Sequence, residues 1–370
     1  MKFTIERKYL LKPLQQVSSR LSGRHQLPIL THLLLQVTEN YLILTGTNLE
    51  IEIVAKITIN KVDKIGIIMV CARKLFDICR SLPEDALINI TLEGTVMLVI
   101  AGRSRFSLMT LPATNFPKIA DGENQIVFNL PLDTLKKVIQ STQFSMAHQD
   151  VRYSLNGLLF EITGKELRTV ATDGHRLAAC TIYINVLKQL PYCSIIVPRK
   201  GVIELLRILD LDYGDNMVKL QICSNNIRIY ISNYIFTSNL IEGNFPDYHS
   251  VLPKNVNKIL KVRRDLIKQA LTRVAILSND KFRCVRLYLR KNQLKITAKN
   301  LEQEEAEEIL DVSYEGPEIE VSFNVNYILD ILGILKCDTV RLLFNNEASS
   351  VQIDDCMNPM SIYIVMPMRM

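Results

Sequence analysis

One structural sentence is written three times along this chain. Lys74-Leu75-Phe76-Asp77-Ile78-Cys79-Arg80-Ser81-Leu82 reads as an amphipathic helix leading into a strand at 89–92. The same order returns at 200–209 followed by 218–222, and again at 325–332 followed by 340–344. Leu82, Leu209 and Leu335 stand 127 and 126 positions apart. Each copy is therefore domain-sized, well beyond a solenoid unit of about 20–50 residues. A chain built this way must fold as three like domains. Repetition of a whole domain points to a symmetric object that can close on itself.

Within each copy the periodicity predicts helix, strands, helix, strands. The first helices fall at about 6–22, 131–146 and 262–278. Their apolar residues recur at helical spacing: Leu10, Leu14, Val17, Leu21, then Leu135, Val138, Ile139, then Leu266, Ala270, Leu271, Val274. Strand pairs follow at 33–37 with 41–45, 158–162 with 167–171, and 285–289 with 293–297, each around a turn signal. The second helices lie at about 72–82, 198–212 and 324–336. Closing strands are expected at 105–111, at 227–231 with 236–241, and at 351–353 with 362–366. Helices and strands that segregate this way predict α+β domains, each with two helices packed on antiparallel sheet. The boundaries fall near 120–124 and 253–258, giving domains 1–123, 124–254 and 255–370.

Charge is distributed unevenly. The whole chain carries +6, yet the six expected helices hold 17 Lys and Arg against 8 Asp and Glu, a net +9. The remainder is therefore acidic by three. Solvated helix faces explain basic residues anywhere, but they predict comparable Glu, which the first and fifth helices lack. A helical layer facing a polyanion fits better. With no recognition-helix or zinc-finger pattern, contacts should go to phosphates rather than base edges.

Other classes are disfavoured. No apolar run reaches the roughly 18 residues of a membrane span, and the charged start does not read as a signal peptide. Eight cysteines show no C-x-x-C pair, which suits reduced core thiols in the cytoplasm. There is no Gly-x-Gly, phosphate loop or metalloprotease helix, and no nucleophile elbow accompanies Asp173 and His175. Neither catalysis, nor a metal, nor a cofactor is expected. A repeat scaffold binding only proteins is the remaining alternative, and it leaves the basic helices unexplained.

Several segments go beyond pattern. Gly102-Arg103-Ser104-Arg105-Phe106-Ser107-Leu108, Phe144-Ser145-Met146-Ala147-His148-Gln149-Asp150-Val151-Arg152-Tyr153 and Ala171-Thr172-Asp173-Gly174-His175-Arg176-Leu177 resemble the bacterial sliding clamps, the beta subunits of DNA polymerase III. So do Phe245-Pro246-Asp247-Tyr248, Ala275-Ile276-Leu277-Ser278-Asn279, Glu302-Gln303-Glu304-Glu305-Ala306-Glu307-Glu308 and the ending Met366-Pro367-Met368-Arg369. The resemblance covers essentially the whole chain in order. It implies three like domains per chain and two chains head to tail in a six-domain ring, helices inside and sheets outside. Such a clamp encircles duplex DNA and confers processivity on the replicative polymerase. Its implied partners are the polymerase III catalytic subunit, a clamp loader complex and other proteins carrying the clamp-binding motif.

The same resemblance assigns sites. Lys74, Arg103 and Arg105 of one chain would face Glu302, Glu304, Glu305, Glu307 and Glu308 of the next, around Phe106, Leu108, Ile276 and Leu277. From the residues alone, this is also ordinary charge protection of sheet edges. A pocket for short peptides carrying a Gln and two apolar anchors would be walled by Leu155, Thr172, Gly174, His175, Arg176 and Leu177. Pro246, Val251, Phe282, Asn324, Tyr327 and Ser350 would complete it, with the tail Ile364, Val365, Met366, Pro367, Met368, Arg369 and Met370. Read without the resemblance, Asp173-Gly174 is a hairpin turn and His175 a loop histidine. DNA contacts are implied at Arg24, Arg73, His148, Gln149, Arg152, Tyr153, Arg199 and Lys200, which otherwise read as solvated loop charges. Two positions depart from the pattern: Ser250 stands where a basic residue is usual, and the chain ends in Met370 rather than Leu.

Overall fold

The computed structural model describes residues 1–18, 27–59, 61–120, 122–211, 217–252, 258–346, 349–357 and 360–368. The first copy runs β1 (Lys2–Glu6), α1 (Arg7–Ser18), β2 (His32–Val37), β3 (Tyr41–Thr47), β4 (Ile51–Thr58), β5 (Lys61–Lys64), β6 (Gly66–Cys71), α2 (Ala72–Ser81), β7 (Leu87–Glu93), β8 (Val96–Ala101) and β9 (Ser104–Leu111). The second runs β10 (Asn124–Pro131), α3 (Leu132–Gln140), β11 (Gly157–Gly164), β12 (Glu166–Thr172), β13 (Arg176–Tyr183), β14 (Leu190–Pro198), α4 (Arg199–Leu209), β15 (Met217–Cys223), β16 (Asn226–Ile231) and β17 (Tyr234–Asn239). The third repeats the second: β18 (Lys258–Arg263), α5 (Arg264–Val274), β19 (Cys284–Arg290), β20 (Gln293–Lys299), β21 (Glu305–Asp311), β22 (Ile319–Asn324), α6 (Val325–Ile334), β23 (Thr339–Phe344), β24 (Val351–Asp354) and β25 (Ser361–Val365). One order thus recurs three times, with β5 the single addition.

Each copy opens on a strand that helical periodicity does not reveal. β1, β10 and β18 pair with β7, β15 and β23, the strands after each second helix. The helices are shorter than expected. Glu6 closes β1 instead of opening α1, and residues 19–22 lie outside the described residues. α3 stops at Gln140 rather than 146 because the Ser141 and Thr142 hydroxyls donate to the Lys137 and Val138 carbonyls, 2.8 and 2.9 Å away. Hydroxyls bonded back to the preceding turn compete with the helix ladder. α5 gives way after Val274 to a 3-10 turn, Ala275–Leu277. α6 is capped by Asn324, whose side chain accepts from the Asn326 amide at 3.0 Å. These shorter helices hold 14 Lys and Arg against 5 Asp and Glu, so the net +9 is unchanged.

Two compact units divide the chain. The first comprises Met1–Leu132 with Ile203–Leu240, and the second Asp133–Val202 with Ile241–Met370. In the first unit a 13-stranded sheet carries the order β10-β15-β16-β17-β4-β3-β2-β6-β9-β8-β7-β1-β5. The second unit holds an eight-stranded sheet, β14-β11-β12-β13-β25-β24-β23-β18, and a four-stranded one, β21-β20-β19-β22. The middle copy therefore lends one half-sheet to each unit. Its β17 pairs with β4 of the first copy, and its β13 with β25 of the third. Both junctions convert what would be bare sheet edges into continuous ladders. Below the four-stranded sheet, Ile267, Leu271 and Val274 of α5 and Ile328, Ile331 and Leu332 of α6 close on Leu287, Ile296 and Phe323, all buried.

Candidate functional site

In the second unit, β12 and β13 are joined by the turn Asp173-Gly174-His175. The Asp173 carboxylate accepts from the His175 and Arg176 amides at 2.9 and 3.0 Å, and the Thr172 hydroxyl donates to the Arg176 carbonyl at 2.6 Å. Gly174 takes φ +88°, which favours glycine. A Cβ there would stand 2.8 Å from Arg152 Nη2.

Three cavities border this turn: one of about 440 Å³ holds His148, Gln149, Arg152 and Arg199 beside Asp173, His175 and Arg176, and the other two carry expected peptide walls. The smaller, about 190 Å³, is bounded by the expected Leu155, Thr172, Gly174, Arg176, Leu177, Pro246, Val251, Ile364 and Met366, together with Arg152, Asp247 and Tyr248. The larger, about 400 Å³, brings together His175, Phe282, Asn324, Tyr327, Met366, Pro367 and Met368, with Lys281. Met366 borders both. Its amide donates to the His175 carbonyl at 2.9 Å, and that of Met368 donates to the Ser322 carbonyl at 2.8 Å. The tail is thus stitched to the turn by backbone. Apolar cavities with a few fixed polar groups suit the side chains of an extended peptide, and an unbranched methionine between them can repack.

Some expected walls are elsewhere. Val365 is fully buried and faces the core below β25, because its neighbour Ile364 takes the cavity side of the strand. Ser350 borders neither cavity. Arg369 and Met370 lie outside the described residues. Asp247, Tyr248 and Lys281 were not expected, although Asp247 and Tyr248 adjoin Pro246 in sequence.

Arg176 holds the turn in place more than it faces a ligand. Its guanidinium donates to Asp173 at 3.0 Å, to Asp330 at 2.5 Å and to the Phe144 carbonyl at 2.8 Å. It also lies over the Tyr327 ring, 4.6 Å from the centroid, and its side chain is only 11% exposed.

Among the residues expected at DNA, His148, Gln149 and Tyr153 are exposed on the loop between α3 and β11. Arg199, at the start of α4, donates to the Met146 carbonyl at 2.8 Å and so fixes that loop. Asn156 and Asp150 close it with reciprocal bonds of 2.9 and 2.8 Å. Lys200 is exposed beside Arg199. Arg152 is gripped by both oxygens of Asp150 at 3.0 and 2.9 Å and lies against Gly174, bordering both the smaller cavity and the one that holds His148, Gln149 and Arg199. The guanidinium holds the Asp150 carboxyl down at about 2. Arg73 stands at the start of α2, 3.8 Å from Asp77, and Arg24 lies outside the described residues.

The expected edges are real edges. Among the described residues β21 pairs only with β20. β9 pairs with β8 throughout but meets β6 only at Thr110 and Leu111, leaving the side of 104–109 open. Lys74, Arg103 and Arg105 are exposed and form no side-chain bond among the described residues. Ile276 is 75% exposed and Leu277 half-buried, with Phe106 half-buried on β9. Leu108 is different: only 8% exposed, it belongs to its own chain's core. The acidic strand is also partly engaged. Glu305, Glu307 and Glu308 pair with Lys299, Lys295 and Arg273 at 2.6, 2.6 and 2.5 Å. Glu304 accepts from the Asn300 amide group at 2.5 Å, and Glu302 is exposed.

Family patterns settle what this arrangement is. The N-terminal, central and C-terminal domains of the DNA polymerase III beta subunit match residues 1–120, 129–247 and 249–369. The chain belongs to the DNA polymerase III beta subunit family, the beta sliding clamps. The Beta sliding clamp of Salmonella typhimurium is 60% identical over 370 residues, covering all of both chains. A crystal structure of the sliding clamp from Pseudomonas aeruginosa bound to griselimycin superposes with a TM-score of 0.97 at 45% identity, again over both whole chains. The Caulobacter crescentus pol III beta structure gives 0.93 at 34%, with the same coverage. This clamp is thus a DNA sliding clamp that serves polymerase processivity. Among its described residues no group of three or more His, Cys, Asp or Glu could hold a metal, and no helix is long and apolar enough to cross a membrane.

Proposed function

We propose that two copies of this clamp join head to tail into a ring that encircles duplex DNA in the cytoplasm, without catalysis of its own. The observation that carries this reading is the pair of open edges of opposite charge on β9 and β21. A strand edge with unpaired amides and carbonyls seeks a partner strand. The basic trio Lys74, Arg103 and Arg105 faces outward without a partner of its own, and Glu302 leads the acidic strand. Since that interface is heterologous, it closes only if the rotation per subunit permits. Three domains per chain, bounded near 123 and 254, would make six in the ring.

DNA passing through such a ring is held by topology, so its contacts need only be weak and phosphate-directed. His148, Gln149, Tyr153, Arg199, Lys200, Arg24 and Arg73 are the residues we assign to it. Arg152 we assign to it as well, and it also borders the smaller of the two peptide cavities. These cavities would take the Gln and two apolar anchors of the polymerase III catalytic subunit, the clamp loader and other motif-bearing partners. Ser250, in place of a basic residue, and Met370, in place of Leu, would alter partner affinity or preference and leave the pocket itself intact. A loader is needed to open the ring, because no nucleotide motif is present in the sequence.

Light scattering across a dilution series tests the assembly. The expected mass is twice 42.3 kDa, and Ile276→Asp with Leu277→Asp should reduce it to 42.3 kDa. A double variant that keeps the two-chain mass sinks the edge assignment. Retention on circular duplex DNA, lost on linearisation, tests encirclement itself.

A further inference from the structure

The smaller peptide cavity has one wall that no strand supports. Pro246, Asp247, Tyr248 and Val251 belong to the segment 241–252, between β17 and β18. Its backbone joins the sheet at its start, where the Ile241 amide donates to the Ile196 carbonyl at 2.8 Å. Its later backbone bonds among the described residues are local, from Val251 to Tyr248 and from Leu252 to His249, both 3.3 Å. Phe245, Val251 and Leu252 pack on the floor formed by Leu177 and Ile364, but apolar contact has no direction and allows sliding.

A single side chain supplies the missing direction. Tyr248 is 6% exposed, and its hydroxyl donates to Glu161 Oε2 at 2.6 Å while accepting from Arg168 Nη1 at 3.2 Å. Glu161 and Arg168 are paired residues of β11 and β12. Arg168 also donates through Nε to the Thr181 hydroxyl of β13 at 2.9 Å. The Tyr192 hydroxyl of β14 reaches the other Glu161 oxygen at 3.3 Å. The grip is therefore itself anchored across four adjacent strands. Burial, and then the bond to Glu161, push the Tyr248 hydroxyl up to about 12, so it stays a neutral donor at ordinary pH.

We propose that the Tyr248 hydroxyl, held by Glu161 and Arg168, is the positioning group that sets the width of the smaller peptide cavity. The inference rests on the reading of that cavity as a partner-peptide site. Hydrogen bonds to charged groups are the strong ones, and they fix geometry as well as distance. In a cavity of about 190 Å³ a displacement of the ring by a fraction of its thickness decides whether an apolar anchor fits. Glu161 and Arg168 would thereby govern recognition without touching the peptide.

The test uses the full chain and a fluorescein-labelled synthetic peptide carrying one Gln and two apolar anchors, read by anisotropy. Tyr248→Phe keeps the ring and removes the hydroxyl. Its Kd should rise about tenfold, the effect of losing one such bond. Glu161→Leu should match it, the double variant should be no weaker than either single, and Glu161→Gln, which still accepts, should bind within about twofold of the parent. A grip that only stabilises the fold would lower the unfolding midpoint of Tyr248→Phe and leave its Kd unchanged, and that result overturns the proposal. Additive losses in the double variant would do the same. A parent chain that fails to bind the peptide would instead remove the cavity reading beneath it.

Discussion

The turn between β12 and β13 has a twin. Between β3 and β4 the sequence Thr47-Asn48-Leu49-Glu50-Ile51 folds as Thr172-Asp173-Gly174-His175-Arg176 does. Asn48 accepts from the amides of Glu50 and Ile51 at 3.0 and 2.8 Å, as Asp173 does from its own neighbours. Thr47 bonds the Ile51 carbonyl at 3.0 Å, as Thr172 bonds that of Arg176. Leu49 takes φ +75° where Gly174 takes +88°. Even the strap recurs, with the Asn239 amide donating to the Glu50 carbonyl at 2.9 Å, the same length as the bond from Met366 to His175.

The wiring is common to both turns, and the side chains differ. At Leu49 the carbonyl is capped by the Asn239 side-chain amide at 2.9 Å, and Ile51 turns into the core. At Gly174 the missing side chain admits Arg152, and Arg176 reaches across to Asp330 and Tyr327 instead of filling a core. The backbone of this turn therefore belongs to the fold. What differs is carried by two residues, a glycine that makes room for Arg152 and an arginine that ties the turn to its surroundings.

The largest way to break the contrast is Gly174→Leu, which writes the first turn's residue into the second. Left-handed strain of about 1–2 kcal/mol and the collision with Arg152 should cost peptide affinity at least about a hundredfold. Anisotropy would show this, while the mass by light scattering should be unchanged. Next is Arg176→Met, which leaves Asp173 with only its two backbone amide donors and removes the guanidinium from the Phe144 carbonyl. A loss of about 3 kcal/mol in stability is expected from a shift in denaturant midpoint, with weakened peptide binding. The smallest is Leu49→Gly. It relieves positive φ but gives up side-chain contact and adds freedom to the unfolded chain. Stability should move by less than about 1 kcal/mol, and peptide affinity not at all. A peptide effect from Leu49→Gly would mean that the two turns are not independent.

The repeat and its hairpins are legible because period and turn chemistry coincide there, as at Tyr41–Thr47 and Gln293–Lys299. The leading strands are not. Phe3 and Ile5, or Leu260 and Val262, alternate too briefly before a helix to stand out. At the site, residue chemistry alone gives only an Asp-Gly turn, and the cavity walls come from the resemblance. The resemblance in turn does not tell which face of an all-apolar strand is which, so Val365 is expected at a wall from which Ile364 displaces it. Nor does it reveal that Asp150, two residues away, pairs with Arg152. Tyr248 escapes notice because its role depends on Glu161 and Arg168, some eighty positions earlier.

The pairing of β17 with β4 also sets a timetable. Everything β4 needs on its outer side is encoded beyond residue 233, and β13 waits for β25, almost the end of the chain. At synthesis rates of about 5–20 residues per second, the first copy leaves the ribosome roughly 6–23 s before its edge is covered. During that interval the nascent clamp exposes a strand that any other chain could pair with. The same ladder that makes the finished subunit continuous leaves it vulnerable while it is being made.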